Sequence, residues 1–162
     1  MAELLPKERL QPSLLDRLSD DEPYKKVESR DQRVLSFQRL KRSVVRDLEW
    51  LLNAGCLEPT LDLTDFPEVK RSVLNYGVPD LTGTTASNLD AATLERMLRH
   101  RIVTFEPRLL SRSLKVRVTN KDEHNTVIIE IEGELWSQPM PERLYLKTIL
   151  DLELGDFEVK GG

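Results

Sequence analysis

Cysteine is nearly absent from this chain. Cys56 stands alone among 162 residues, so no disulfide can form within the chain, as expected of a reducing compartment. A basic excess is missing too. The 24 Lys and Arg residues are outnumbered by 28 Asp and Glu, for a formal charge of −4. A nucleic-acid partner needs phosphates neutralised, so none is expected here. The local clusters Arg39-Leu40-Lys41-Arg42 and Arg96 to Arg101 read as solvated helix faces. No apolar run approaches the ~20 residues of a membrane span. The opening MAELLPKERL also lacks an apolar signal core. The expectation is a cytoplasmic protein without membrane insertion.

Motifs for chemistry are equally scarce. Gly77 and Gly83 stand alone, so there is no glycine-rich phosphate loop, and no Gly-x-Ser-x-Gly elbow occurs. The two histidines, His100 and His124, have no Cys or His partner at metal-ligand spacing. No metal, cofactor or catalytic residue is therefore assigned. Glu130, Glu132 and Glu134 alternate along one strand, about 6–7 Å apart on one face. That spacing falls near the range of paired glycosidase carboxylates. Glutamates in a row on one strand have no cleft between them, however, and the residues around them offer nothing apolar to raise one pKa. They read as a solvated face.

What the chain does contain is periodic. With 39% hydrophobic and 32% charged residues, it has a modest core beneath a richly charged surface. Residues 1–29, broken by Pro6, Pro12 and Pro23, read as a flexible segment with one short docking helix. In that helix Ser13 is the N-cap with Asp16 three residues on, and Leu14, Leu15 and Leu18 share a stripe. One domain follows over 30–156, with a tail at 157–162. Its clearest helix spans 30–54, with Val34, Phe37, Lys41, Val44, Leu48, Leu51 and Leu52 at three-and-four spacing, Lys41 being the one exception to the apolar pattern, and Gly55 as a left-handed stop. Trp50 lies beside that stripe as a boundary anchor. A shorter helix runs from Pro67 to Asn75 before Gly77. Ser87 and Asp90 then make a capping pair for a helix that buries Leu94, Met97, Leu98, Ile102 and Phe105.

The remainder alternates with a period of two. Leu114 to Val118, Thr126 to Trp136 and Arg143 to Glu153 give three antiparallel strands. The fold class is α+β, with helices packed on one face of a small C-terminal antiparallel sheet of about three strands. Either Leu114 to Val118 or Arg143 to Leu152 is expected to present an open edge.

Glu106-Pro107-Arg108 lies where the last helix meets the sheet. Pro107 fixes its own φ and restricts Glu106, so two charges stand on a stiff backbone. The junction can dock a partner, or Glu106 and Arg108 can cap the helix and pair internally. Local physics leaves both readings open.

Four segments then carry a resemblance: Pro12 to Leu18, Ser43 to Asn53, Ser72 to Asp80 and Phe105 to Leu109. In this order they resemble TssE, the baseplate wedge family of bacterial type VI secretion systems. That family is similar to the small wedge subunit of contractile phage tails, labelled lysozyme-like by historical naming. The resemblance implies a non-enzymatic structural subunit that joins TssF and TssG and carries the TssB–TssC sheath. It implies partner contact at Glu106, Pro107 and Arg108, and the leucine stripe Leu14, Leu15 and Leu18 is expected to dock as well. The alternatives are a contractile phage tail subunit and a peptidoglycan hydrolase.

Overall fold

The computed structural model describes residues 13–19, 24, 37–83, 89–121, 125–136 and 141–161. Val34, Ser87 and His124, which figure in the sequence patterns above, lie outside the described residues. Among the described residues, four α-helices come first: α1 (Leu14–Leu18), α2 (Phe37–Asn53), α3 (Pro67–Lys70) and α4 (Ala91–Phe105), with a 3-10 turn at Val73–Asn75 between the last two. Four strands follow: β1 (Lys115–Lys121), β2 (Thr126–Leu135), β3 (Glu142–Asp151) and β4 (Phe157–Gly161). They pair antiparallel in the order β1-β2-β3-β4, a simple meander. The fold is α+β, with helices and a C-terminal sheet, as the periodicity requires.

β4 is the addition. Periodicity alone leaves 157–162 as a tail, but Phe157 to Gly161 pairs with Leu150 to Leu146 of β3. Phe157 is buried while Glu158 is exposed. That is the period-two signature of a strand, in a segment too short to stand out. Gly155, at φ 75°, turns the chain back, its amide donating to Asp151 O at 2.8 Å. β3 is consequently an interior strand. Arg143 to Leu152 is not the open edge, because β4 covers Leu146 to Leu150. The edges are β1 and β4.

α2 and α4 each bury one stripe in the core with this sheet. On α2 the buried apolar residues are Leu40, Val44, Leu48, Leu51 and Leu52. Leu40, rather than the neighbouring Lys41 of the expected spacing, therefore carries the first turn of the stripe. α4 buries Leu94, Leu98 and Ile102, with Met97 and Phe105 packed alongside. Its N-cap is Asp90, whose carboxylate accepts from Ala92 N at 3.1 Å. From the sheet come Val116, Val127, Ile129, Ile131, Leu135, Leu144, Leu146, Leu150 and Phe157.

Two helix ends differ from expectation. Gly55 is not left-handed; it forms a parallel bridge with Val78, and Asn53 closes α2 by donating its amide to Glu49 O at 3.0 Å. The stretch from Pro67 to Asn75 breaks at Ser72, whose hydroxyl caps the 3-10 turn by accepting from Leu74 N. Local side-chain bonds from Ser and Asn compete with continued helix, and here they prevail.

One core residue is chemically misplaced. Thr148 is fully buried on the core face of β3, and its hydroxyl has no partner among the described residues. An unsatisfied buried hydroxyl is destabilising, and valine has almost the same shape. Thr148→Val is expected to stabilise the fold by about 1 kcal/mol. Urea unfolding measures it, and a loss of stability would show that the hydroxyl is satisfied in solution.

Candidate functional site

The Glu106-Pro107-Arg108 turn is fastened at both ends by backbone. Glu106 is the C-cap of α4, its N–H donating to Ile102 O at 2.8 Å. Beyond the turn, Trp136 N donates to Arg108 O at 2.8 Å and Leu110 N to Glu134 O at 2.9 Å, locking the chain to the end of β2. Pro107 between them is exposed. Its fixed φ ends α4 where the sheet must begin.

The two charges turn inward. Glu106 is 3% exposed and the Arg108 side chain 10%. Arg108 Nε donates to Glu106 Oε1 at 2.7 Å, and Nη2 reaches both Glu106 Oε2 and Asp47 Oδ2. Nη1 donates to Ser43 Oγ at 2.8 Å. Burial alone would lower the Arg108 pKa, but hydrogen bonds and charge from Glu106 and Asp47 raise it, so the guanidinium stays charged. Of the two readings that local physics leaves open, internal pairing is present in the chain itself.

The cluster extends to α1. Asp16 Oδ2 accepts from Ser43 Oγ at 2.7 Å, Asp16 Oδ1 accepts from Arg46 Nη1 at 3.0 Å, and Arg108 Nη1 lies 4.0 Å away. Arg46 also donates to Asp47 Oδ1 at 2.9 and 2.7 Å and stacks over the Trp50 ring at 5.0 Å. Trp50 is half exposed, the boundary position expected of it. The capping box expected in α1 is present, with Ser13 and Asp16 bonded reciprocally. Asp16 thus serves two structures at once, its own helix and the cluster.

α1 sits with its polar side on the body and its apolar side in solvent. Leu14 is 69% exposed, Leu15 43% and Leu18 74%. Beside it opens a cavity of about 320 Å³ lined by Ser13, Asp47, Leu51, Tyr76, Phe105, Glu106, Pro107 and Arg108. Tyr76 and Phe105 meet edge to face in its wall, with centroids 5.4 Å apart.

Burial pushes the Asp16 carboxyl up, yet hydrogen bonds from Ser13, Ser43 and Arg46 outweigh it and bring the pKa down to about 2. Its folded value lies below the ordinary 3.8, so the attachment of α1 is complete above about pH 4 and is lost as pH falls toward 2. The Ser19 amide, which donates to Leu15 O, should therefore shift in acid before the sheet amides do in an NMR titration. Simultaneous movement of both would count against a separately titrating attachment.

Sequence patterns do not mark Ser43, Arg46 and Asp47 as members of this site. A signal exists for Ser43, a small polar residue beside Val44 within a leucine stripe. A second buried cation is equally hidden. Arg101, 4% exposed, donates to Asn75 O, to Glu58 Oε2 at 2.7 Å and to Cys56 Sγ at 3.3 Å. It ties α4 to the 55–78 connection, and half-buried Cys56 belongs to that packing.

The glutamate row faces outward. Register sets Glu132 beside Lys115, Glu130 between Arg117 and Lys147, and Glu134 beside Arg143. Tyr145 OH donates to Glu130 at 3.0 Å. Cross-strand pairs of opposite charge explain the pattern as sheet stabilisation on a wet face. Among the described residues no group of His, Cys, Asp and Glu is placed to hold a metal ion, and no helix is long and apolar enough to cross a membrane.

A search of curated proteins found no match. A family model described as baseplate wedge protein gp25 matches residues 38–140, from α2 through β2, including Ser43, Arg46, Asp47 and the whole Glu106-Pro107-Arg108 turn. With well over half of its length matched, the chain belongs to the baseplate wedge protein gp25 family.

Proposed function

We propose that this chain is the TssE-type wedge subunit of a type VI secretion baseplate. In that role it joins TssF and TssG in the cytoplasm and provides the platform on which the TssB–TssC sheath polymerises. It acts as a structural part, without catalysis or cofactor. The observation that carries the reading is α1, fastened by its polar side with three leucines turned to solvent. Among the described residues, the core does not use that apolar stripe, and a helix face of this kind suits an apolar groove on a partner. Pro107 and the cavity beside it continue the same surface, with Glu106 and Arg108 acting from within. Co-expression with TssF and TssG should yield a complex that survives purification. Failure of the three to associate would set the reading aside.

The sheet edges bear on the platform role. The β1 edge is bonded to α4 at two points: Glu95 accepts from Val118 N at 2.8 Å and Arg99 donates to Leu114 O at 3.3 Å. At the β4 edge, the Asn53 amide accepts from Phe157 N at 2.8 Å and donates to Phe157 O at 3.0 Å, as a neighbouring strand would. By alternation the Val159 amide faces the same open side, so an added sheath strand can continue from Asn53. Val159→Pro removes that donor at an edge position where proline is tolerated. Sheath assembly should stop while the subunit folds, and normal sheath growth in this variant would count against the β4 edge.

A contractile phage tail subunit is the nearest rival, and the family description accommodates it. The Leu14 to Leu18 segment, which resembles the secretion branch, favours the first reading. A peptidoglycan hydrolase would lose cell-wall cleavage on Glu130→Gln. With cations beside each glutamate in the sheet register, purified protein is expected to clear no cell wall.

A further inference from the structure

α1 has only five residues, and an isolated helix of that length does not persist in water. Its leucines are exposed, so burial of apolar surface contributes little to holding it. Among the described residues, its polar contacts with the body all run through one carboxylate. Asp16 accepts from Ser43 Oγ and from Arg46, and Ser43 Oγ accepts in turn from Arg108 Nη1. Ser43 is 6% exposed and its single proton is committed to Asp16, so its hydroxyl relays the position of Arg108 to α1.

We propose that Asp16 and Ser43 are positioning residues that make the leucine stripe and the Glu106-Pro107-Arg108 turn one coupled interaction surface. While Asp16 is seated, Leu14, Leu15 and Leu18 stand as a preformed helical face over the turn. Unseated, the five residues lose helix and the face with it, although the body stays folded. A preformed face spares a partner the cost of ordering it. The occupant, an apolar groove of a wedge subunit, rests on the function proposed above; the tether itself does not.

Hydrogen exchange on the isolated full-length chain tests the tether directly. In Asp16→Asn and in Ser43→Ala, the Asp16 and Ser19 amides should exchange about tenfold faster or more, with α2 and sheet amides unchanged. Raised salt should speed the same amides in the wild type and leave Asp16→Asn indifferent, which loss of a neutral helix cap would not produce. Unchanged exchange in Asp16→Asn overturns the proposal. Binding of TssF and TssG supplies the second arm. Asp16→Asn and a Leu14→Ser/Leu15→Ser/Leu18→Ser variant should each weaken it, and combining them should add little. Full additivity overturns the coupling. No binding in any form of the chain is a failure of the wedge reading, and the exchange result still decides the tether.

Discussion

Arg108→Ala is expected to cost about 3–5 kcal/mol of folding stability, the range for removing one partner of a buried ion pair. Glu106 would be left 3% exposed with no cation, and Asp47 and Ser43 would each lose a donor. The mechanism is the uncompensated charge rather than the loss of an attractive contact. Arg108→Lys restores the charge but not the planar fork that reaches Glu106, Asp47 and Ser43 together, so it should recover only part of the loss. Urea unfolding of the three proteins gives the comparison. A loss under about 1 kcal/mol for Arg108→Ala would place the cluster with ordinary surface pairs and contradict its burial. Lost binding in Arg108→Ala does not identify a contact residue, because the same change disturbs α1 and the end of α4.

Gly77→Ala should be comparably damaging, for a steric reason. Gly77 has φ 112°, and a Cβ there would lie 2.2 Å from Ala54 O and 2.6 Å from Ala54 C, both backbone atoms. Ala54 O accepts from Val78 N at 2.8 Å, and Val78 O accepts from Cys56 N at 3.1 Å. The close approach that only glycine permits is thus what forms the Gly55–Val78 bridge. Backbone strain of about 1–3 kcal/mol with the loss of the bridge bonds gives an expected cost of about 3 kcal/mol or more. Gly83 is the internal control. It also has positive φ, 77°, but open space around the missing Cβ. Gly83→Ala should cost only about 1–2 kcal/mol from the left-handed backbone. Equal melting temperatures for the two variants would show that the contact with Ala54 is not the cause.

Much of this architecture is legible in the amino-acid sequence, because period decides it. The alternation of Val127, Ile129 and Ile131 on β2, and of Leu144, Leu146, Thr148 and Leu150 on β3, specifies both strands and the face they bury. The Ser13–Asp16 capping box is readable for the same reason, since both bonds are local. β4 is not, since five residues after a turn offer only one buried aromatic before the chain ends. Long-range polar partners are less legible still. Asp16 and Ser43 are 27 positions apart, and Ser43 and Arg108 are 65 apart. No local pattern links them; only the packing of α2 between α1 and the turn does. The Glu106-Pro107-Arg108 junction is visible as a stiff, charged break, but the direction of its side chains is a tertiary fact. That direction gives the junction an internal clasp, through Asp47 and Ser43, beside the exposed leucines of α1.

The docking role of α1 is tested by the affinity of TssF–TssG for the wild-type chain and for Leu14→Ser/Leu15→Ser/Leu18→Ser. These side chains are solvent-facing, so the variant should melt with the wild type and keep its sheet amides protected. Its affinity is predicted to fall by about tenfold or more, as for apolar anchors removed from a helix-in-groove contact. Equal affinity in a folded variant would contradict the docking role of α1.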